Sequence, residues 1–229
     1  MISPILILIA GLLVLVYLGT LPKGRLLQSI TLLVLFMFAI PNLNATQGMF
    51  YSIMAVSVLI FSILGLHKDL DKKQQKNKKF KGMFLQMGIG IAFIGVMFLF
   101  QNRAGGQILG VPGALGIATT MSPLLISSLG YLENNFFFGL INLIQERIFP
   151  FIALPFIVMF SFILPIIVVA GLFAMFHLTA YSLSLGLMGF AFLIFILWGA
   201  LAEFGYSEAA NIAHYLWNGI VTVGMFTAI

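Results

Sequence analysis

Cysteine is absent from these 229 residues. Disulfides, thiolate metal sites and a cysteine nucleophile are therefore excluded. Charge is scarce as well, since Asp, Glu, Lys and Arg make up only 7% of the chain. The apolar stretches show no alternation of polar and apolar residues, which argues against the strands of an outer-membrane barrel. The opening segment, MISPILILIAGLLVLVYLG, lacks a basic n-region and reads as a retained transmembrane helix and not as a cleaved signal peptide. Neither a GxSxG nucleophile elbow nor the HExxH spacing of a metalloprotease occurs.

What fills the chain is hydrocarbon. The residues are 62% hydrophobic, with a mean hydropathy of +1.15. No soluble domain of this length needs so much apolar surface. The composition predicts an all-α, polytopic transmembrane helix bundle of about eight membrane helices, because helices satisfy their own backbone in lipid. Length allows one integrated membrane domain. Its residues 1–105 form N-terminal transmembrane helices, and 106–229 form the core bundle that carries the polar motifs. The net charge of +5 is not a nucleic-acid signal. Seven of the eleven basic residues lie in one loop, HKDLDKKQQKNKKFKG at 67–82. That loop and the short turn holding Lys23 and Arg25 fall on one side, which the positive-inside rule makes cytoplasmic, with the N-terminus external. The lysines would also bind anionic lipid headgroups.

In order, the pattern predicts helices at 4–19, 26–40, 48–66 and 83–100. A Gly- and Pro-containing loop or re-entrant segment follows at 101–113. Further helices are expected at 114–131, 133–148, 151–177 (kinked at Pro155 and Pro165), 182–203, and from Ser207 onward. Ser207 suits an N-cap, and Glu208 would sit in the first turn of that helix, at an end open to water. Asn44-Ala-Thr46 matches a glycosylation sequon, a pattern common by chance.

Ionisable groups inside apolar segments are costly and read as functional by default. Arg103, Glu203 and Glu208 fall at predicted ends, and Glu146 with Arg147 reads as interfacial. Glu133, His177 and His214 remain as interior candidates, although Glu133 with Asn134 and Asn135 could instead cap a helix start. His214 and Asn218 are four apart and share a helical face, which Asn211 extends. Such a stripe serves either as interhelical hydrogen-bonding glue or as part of a site. Together the four residues permit hydrolysis without a covalent intermediate. A shielded Glu acts as general base on a water, a His orients that water, and a His–Asn pair donates to the developing oxyanion. Zinc, for which two His and a Glu are legitimate ligands, ranks second; no metal or other cofactor is the first expectation.

At these residues the chain resembles the CAAX protease and bacteriocin-processing (Abi, type II CAAX prenyl endopeptidase) family, whose motifs are EExxxR, FxxxH and HxxxN. Phe173-Ala-Met-Phe-His177 matches the second motif and His214-Tyr-Leu-Trp-Asn218 the third. The stretch ENNFFFG stands where the family has EExxFRG. Glu133 keeps the first Glu, Asn134 replaces the second, and Phe138 replaces the Arg. The resemblance covers about residues 115–225. It implies that Glu133 and His177 activate water and that His214 and Asn218 form the oxyanion hole, with Asn134, Phe173 and Asn211 flanking them. It also implies an intramembrane endopeptidase whose peptide or protein substrate enters a cavity between helices. The competing expectations are a catalytically inactive scaffold or partner-binding protein on the same fold, and a proton-coupled transporter.

Overall fold

The computed structural model describes residues 3–21, 23–66, 80–103, 121–148, 163–177 and 185–227. The lysine-rich stretch 67–79, most of the expected loop at 101–113, the start of the helix expected from 114, and Pro155 all lie outside the described residues. Within them the chain forms eight α-helices and no strand. These are α1 (Pro4–Thr20), α2 (Gly24–Ala39), α3 (Ala45–Leu64), α4 (Phe80–Arg103), α5 (Pro123–Leu143), α6 (Ile163–Phe176), α7 (Leu185–Glu203) and α8 (Ser207–Thr227). Among the described residues, five segments are long and apolar enough to cross a membrane: Gly24–Asn42, Ala45–Leu64, Gly82–Leu99, Pro123–Ile148 and Leu185–Glu203. Helices α1 and α6 are apolar but shorter. Large apolar side chains cover the outside as well as the core, among them Leu6, Tyr17, Met37, Phe38, Ile63 and Leu99. A surface this apolar is the expected exterior of a bundle solvated by lipid.

Local sequence explains the helix starts. Asn44 caps α3: its side chain accepts from the Gln47 N–H at 2.9 Å, and the Gln47 side chain accepts from the Asn44 N–H at 3.3 Å. This reciprocal capping box begins α3 three residues earlier than hydropathy alone suggests. Ser122 caps α5, with Pro123 at its first position. Pro165 is the third described residue of α6, and the stretch 149–162 before that helix lies outside the described residues.

The largest departure from the sequence reading concerns 114–148. The break expected near 132 is absent, and one helix runs from Pro123 to Leu143 and continues as a π turn over Ile144–Ile148. Glu133 is therefore mid-helix and buried, and does not cap a helix start. From Ser127 to Asn135 every residue of α5 is buried, so this helix is the central post of the bundle. Its most extensive partner is α8, running antiparallel to it, with α2 and α3 on other sides.

One more expectation is corrected at one end of the bundle. Glu208 does not face water but is buried and paired with the buried Arg25, whose Nη1 lies 2.8 Å from Glu208 Oε1. Arg25 also donates to Asn135 Oδ1 at 3.2 Å and to Ser207 Oγ at 2.6 Å. The Tyr131 hydroxyl donates to the other Glu208 oxygen and accepts from Gln28 Nε2 at 3.0 Å. Helices α2, α5 and α8 are thus tied by an ionic network. The Lys23–Arg25 turn and the end of α3 do lie at the same end of the bundle, because Ser29 of α2 bonds Ser62 of α3 at 2.6 Å.

Two stability outcomes follow from this packing. Glu208→Leu alone leaves a buried guanidinium uncompensated and is expected to cost about 3–5 kcal/mol, part of which Arg25→Met in the same chain restores. Thermal unfolding of the detergent-solubilised protein measures both, and a double variant no more stable than Glu208→Leu would show that the pair is not coupled. A Cβ at Gly90 of α4 would lie 2.8 Å from the Ala209 carbonyl oxygen of α8, whereas one at Gly88 meets nothing within 4 Å. Gly90→Ala should therefore cost about 1–3 kcal/mol, while Gly88→Ala is tolerated in the same assay.

Candidate active site

Two helices and one helix end converge on Glu133 of α5. Tyr51 belongs to the buried stripe Tyr51, Met54, Ala55, Val58 and Phe61 of α3, whose helical spacing turns it toward α5. Its hydroxyl donates to Glu133 Oε1. His177 follows the last residue of α6, and His214 lies two turns into α8. Glu133 Oε2 lies 3.7 Å from His177 Nε2 and 3.6 Å from His214 Nε2. One ligating atom from each residue fits within a mutual separation of 4.8 Å. Glu133 and His214 are buried, and His177 keeps 14% of its side chain accessible.

The ring orientations follow from the far side of each imidazole. His177 Nδ1 lies 2.8 Å from the Phe173 carbonyl oxygen. A carbonyl only accepts, so Nδ1 carries the proton and a neutral ring presents its Nε2 lone pair to Glu133. His214 Nδ1 lies 3.0 Å from Asn134 Oδ1. The Asn134 amide nitrogen donates to the Ala210 carbonyl oxygen at 3.1 Å, which fixes Oδ1 as the atom facing His214. His214 therefore also donates from Nδ1 and presents Nε2 as a lone pair. Glu133 Oε2 itself makes no hydrogen bond among the described residues. Three acceptor atoms thus face one point. Such an arrangement holds a donor with two protons, such as water, or a cation.

Aromatic rings set the walls. Phe173 stands beside His177, with centroids 4.3 Å apart, and edge-on to His214 at 5.9 Å. The four-residue step from Phe173 to His177 thus has a physical use, since one ring packs both imidazoles. Trp198 of α7 stacks on His214 at 4.6 Å. Gly130, three residues before Glu133, makes room on α5. A Cβ there would lie 2.6 Å from Asn218 Nδ2 and 2.9 Å from His214 Cδ2.

Of the residues singled out from sequence, Glu133, His177 and His214 meet, and Asn134 and Phe173 support them. Asn218 lies one turn beyond His214, and its amide donates to the Ile126 carbonyl oxygen at 3.5 Å. Asn211 donates to Asn135 Oδ1 at 3.4 Å and so joins the Arg25 network. Phe138 does not stand in for an arginine at Glu133; it is buried against Phe195 of α7. Tyr51 and Trp198 were not singled out. Nothing in their local sequence marks them, and only the folded contacts do.

Compared with known proteins, the chain matches no family model, no curated protein and no solved structure.

Proposed function

We propose that this protein is a multi-pass membrane hydrolase that cleaves a peptide bond with a water activated by Glu133. The reading is carried by one observation: Glu133 Oε2 and two imidazole nitrogens, all lone-pair bearing, converge in a buried site. A water hydrogen-bonded to Oε2 and His177 Nε2 would sit at the apex of their 3.7 Å separation, with roughly 2.8 Å to each. Glu133 then takes the proton as the oxygen attacks a carbonyl carbon, and it returns the proton to the leaving amine. His177 orients the water. His214 donates to the developing oxyanion only when doubly protonated, because its Nδ1 proton is held by Asn134. Asn218 lines the approach on the same face of α8. The resemblance of the FxxxH and HxxxN segments to the CAAX protease and bacteriocin-processing family supports peptide hydrolysis as the chemistry. All eight described helices would be embedded in the membrane, with the Lys23–Arg25 side cytoplasmic.

A second reading has its own support. Both histidines give their Nδ1 proton to an oxygen acceptor, the arrangement usual for imidazoles that bind metal through Nε2. Tetrahedral zinc ligands at about 2.0–2.1 Å are separated by roughly 3.3 Å, close to the spacing seen here. Glu133, His177 and His214 would then hold a divalent cation with one open position, and the metal would supply the activated water.

Elemental analysis and a cleavage assay separate the two. The full chain, purified in detergent and reconstituted in liposomes, is presented with a library of quenched-fluorescence peptides. Glu133→Gln is expected to abolish cleavage at unchanged thermal stability. In the first reading activity survives a strong chelator and the protein carries no stoichiometric metal. One zinc per chain, lost in His177→Ala and His214→Ala, would replace that reading by the second. A wild-type protein that cleaves nothing would sink both as statements of function.

A further inference from the structure

The two oxygens of Glu133 are treated differently by the fold. Oε1 accepts the Tyr51 hydroxyl, while Oε2 makes no hydrogen bond among the described residues and faces the imidazoles at 3.6 and 3.7 Å. Tyr51 is itself held firmly. It is 9% exposed, it sits on the inner stripe of α3, and its ring meets Phe176 edge-on at 5.9 Å and 89°. Phe176 in turn meets His177 at 5.4 Å. The same aromatic contact thus sets both the hydroxyl that grips one side of the carboxylate and the imidazole that faces the other.

A glutamate has three rotatable side-chain bonds, and a carboxylate gripped at one oxygen loses the freedom to turn the other away. We propose that Tyr51 is a positioning residue of the Glu133 site. It anchors Oε1 so that Oε2 is presented to His177, His214 and whatever lies between them. The role belongs to α3, in the half of the chain that the family resemblance leaves unassigned. The catalytic consequence rests on the hydrolase reading above, but the anchoring does not.

The experiment uses the full chain in detergent or liposomes and has two readouts. The infrared band of the Glu133 carboxyl group is identified by its loss in Glu133→Gln. In Tyr51→Phe, which keeps the ring and its packing, that band is expected to move to higher frequency as a donor is lost. Incorporation of 3-fluorotyrosine at 51, a stronger donor of nearly the same shape, should move it the opposite way. An unmoved band in both overturns the proposal. For a peptide that the wild type cleaves, Tyr51→Phe should lower kcat on the order of 100-fold, as misplacement of a reacting group does, with KM within twofold. An unchanged kcat, or a loss confined to KM, overturns the positioning role. Absence of cleavage by the wild type overturns the hydrolase reading instead and leaves the infrared band to decide the anchoring.

Discussion

A polar side chain buried in an apolar bundle must find its partner on another helix, and three adjacent ones on α5 make that demand at once. Successive residues of a helix project about 100° apart, so Glu133, Asn134 and Asn135 reach out in different directions and draw partners from several helices. Asn135 accepts from Arg25 of α2 and Asn211 of α8. Asn134 binds α8 twice, through the Ala210 carbonyl and His214. Glu133 takes Tyr51 from α3 and faces the histidines of α6 and α8. Leaving any one unpaired would cost several kcal/mol in such surroundings. The arrangement of α2, α3, α6 and α8 around α5 is therefore specified by polar contacts more than by apolar ones, since lipid and core are equally apolar.

Part of this was legible in the chain itself. Apolar runs gave the helical class, and the first four helices lie close to where hydropathy places them. Glu133, His177 and His214 stand out because charge is so rare that each exception is visible. What was hidden has two physical causes. The polar run ENN looks like a boundary when its partners are unseen, although each of the three side chains bonds another helix and α5 passes straight through. Arg25 and Glu208 look like groups at water-exposed ends because their pairing spans 183 positions of sequence, and no local pattern encodes it. Tyr51 and Trp198 are ordinary apolar-helix residues until folding sets one against a carboxylate and the other against an imidazole.

The two buried polar clusters differ in a way that separates scaffold from chemistry. Around Glu208 both carboxylate oxygens are engaged, one by a guanidinium and one by a phenol. Its carboxylate is engaged on both sides. The cluster balances its charge internally, and its worth is the specific docking of α2 and α8 on the central helix. Around Glu133 the balance is incomplete. One oxygen is engaged, and the other meets two nitrogens that also carry lone pairs. Folding alone gains nothing from three acceptors pointed at one another, which is why the proposed chemistry is placed here and not at Glu208.

The setting decides how strongly such a group would be held. Phe173, Trp198 and the neighbouring rings of Phe137, Phe176 and Phe195 displace polarisable solvent from around the imidazoles. Electrostatic interactions in that enclosure are screened less than in water, and the rings stop the imidazoles from turning. The same enclosure restricts entry. Of the three converging side chains only His177, at the end of α6, keeps appreciable exposure. Gly130 lets Asn218 and His214 pack directly against α5, where any side chain would collide with both. In the proposed reaction a carbonyl would approach on the His177 side, because among the described residues the other two converging side chains are buried.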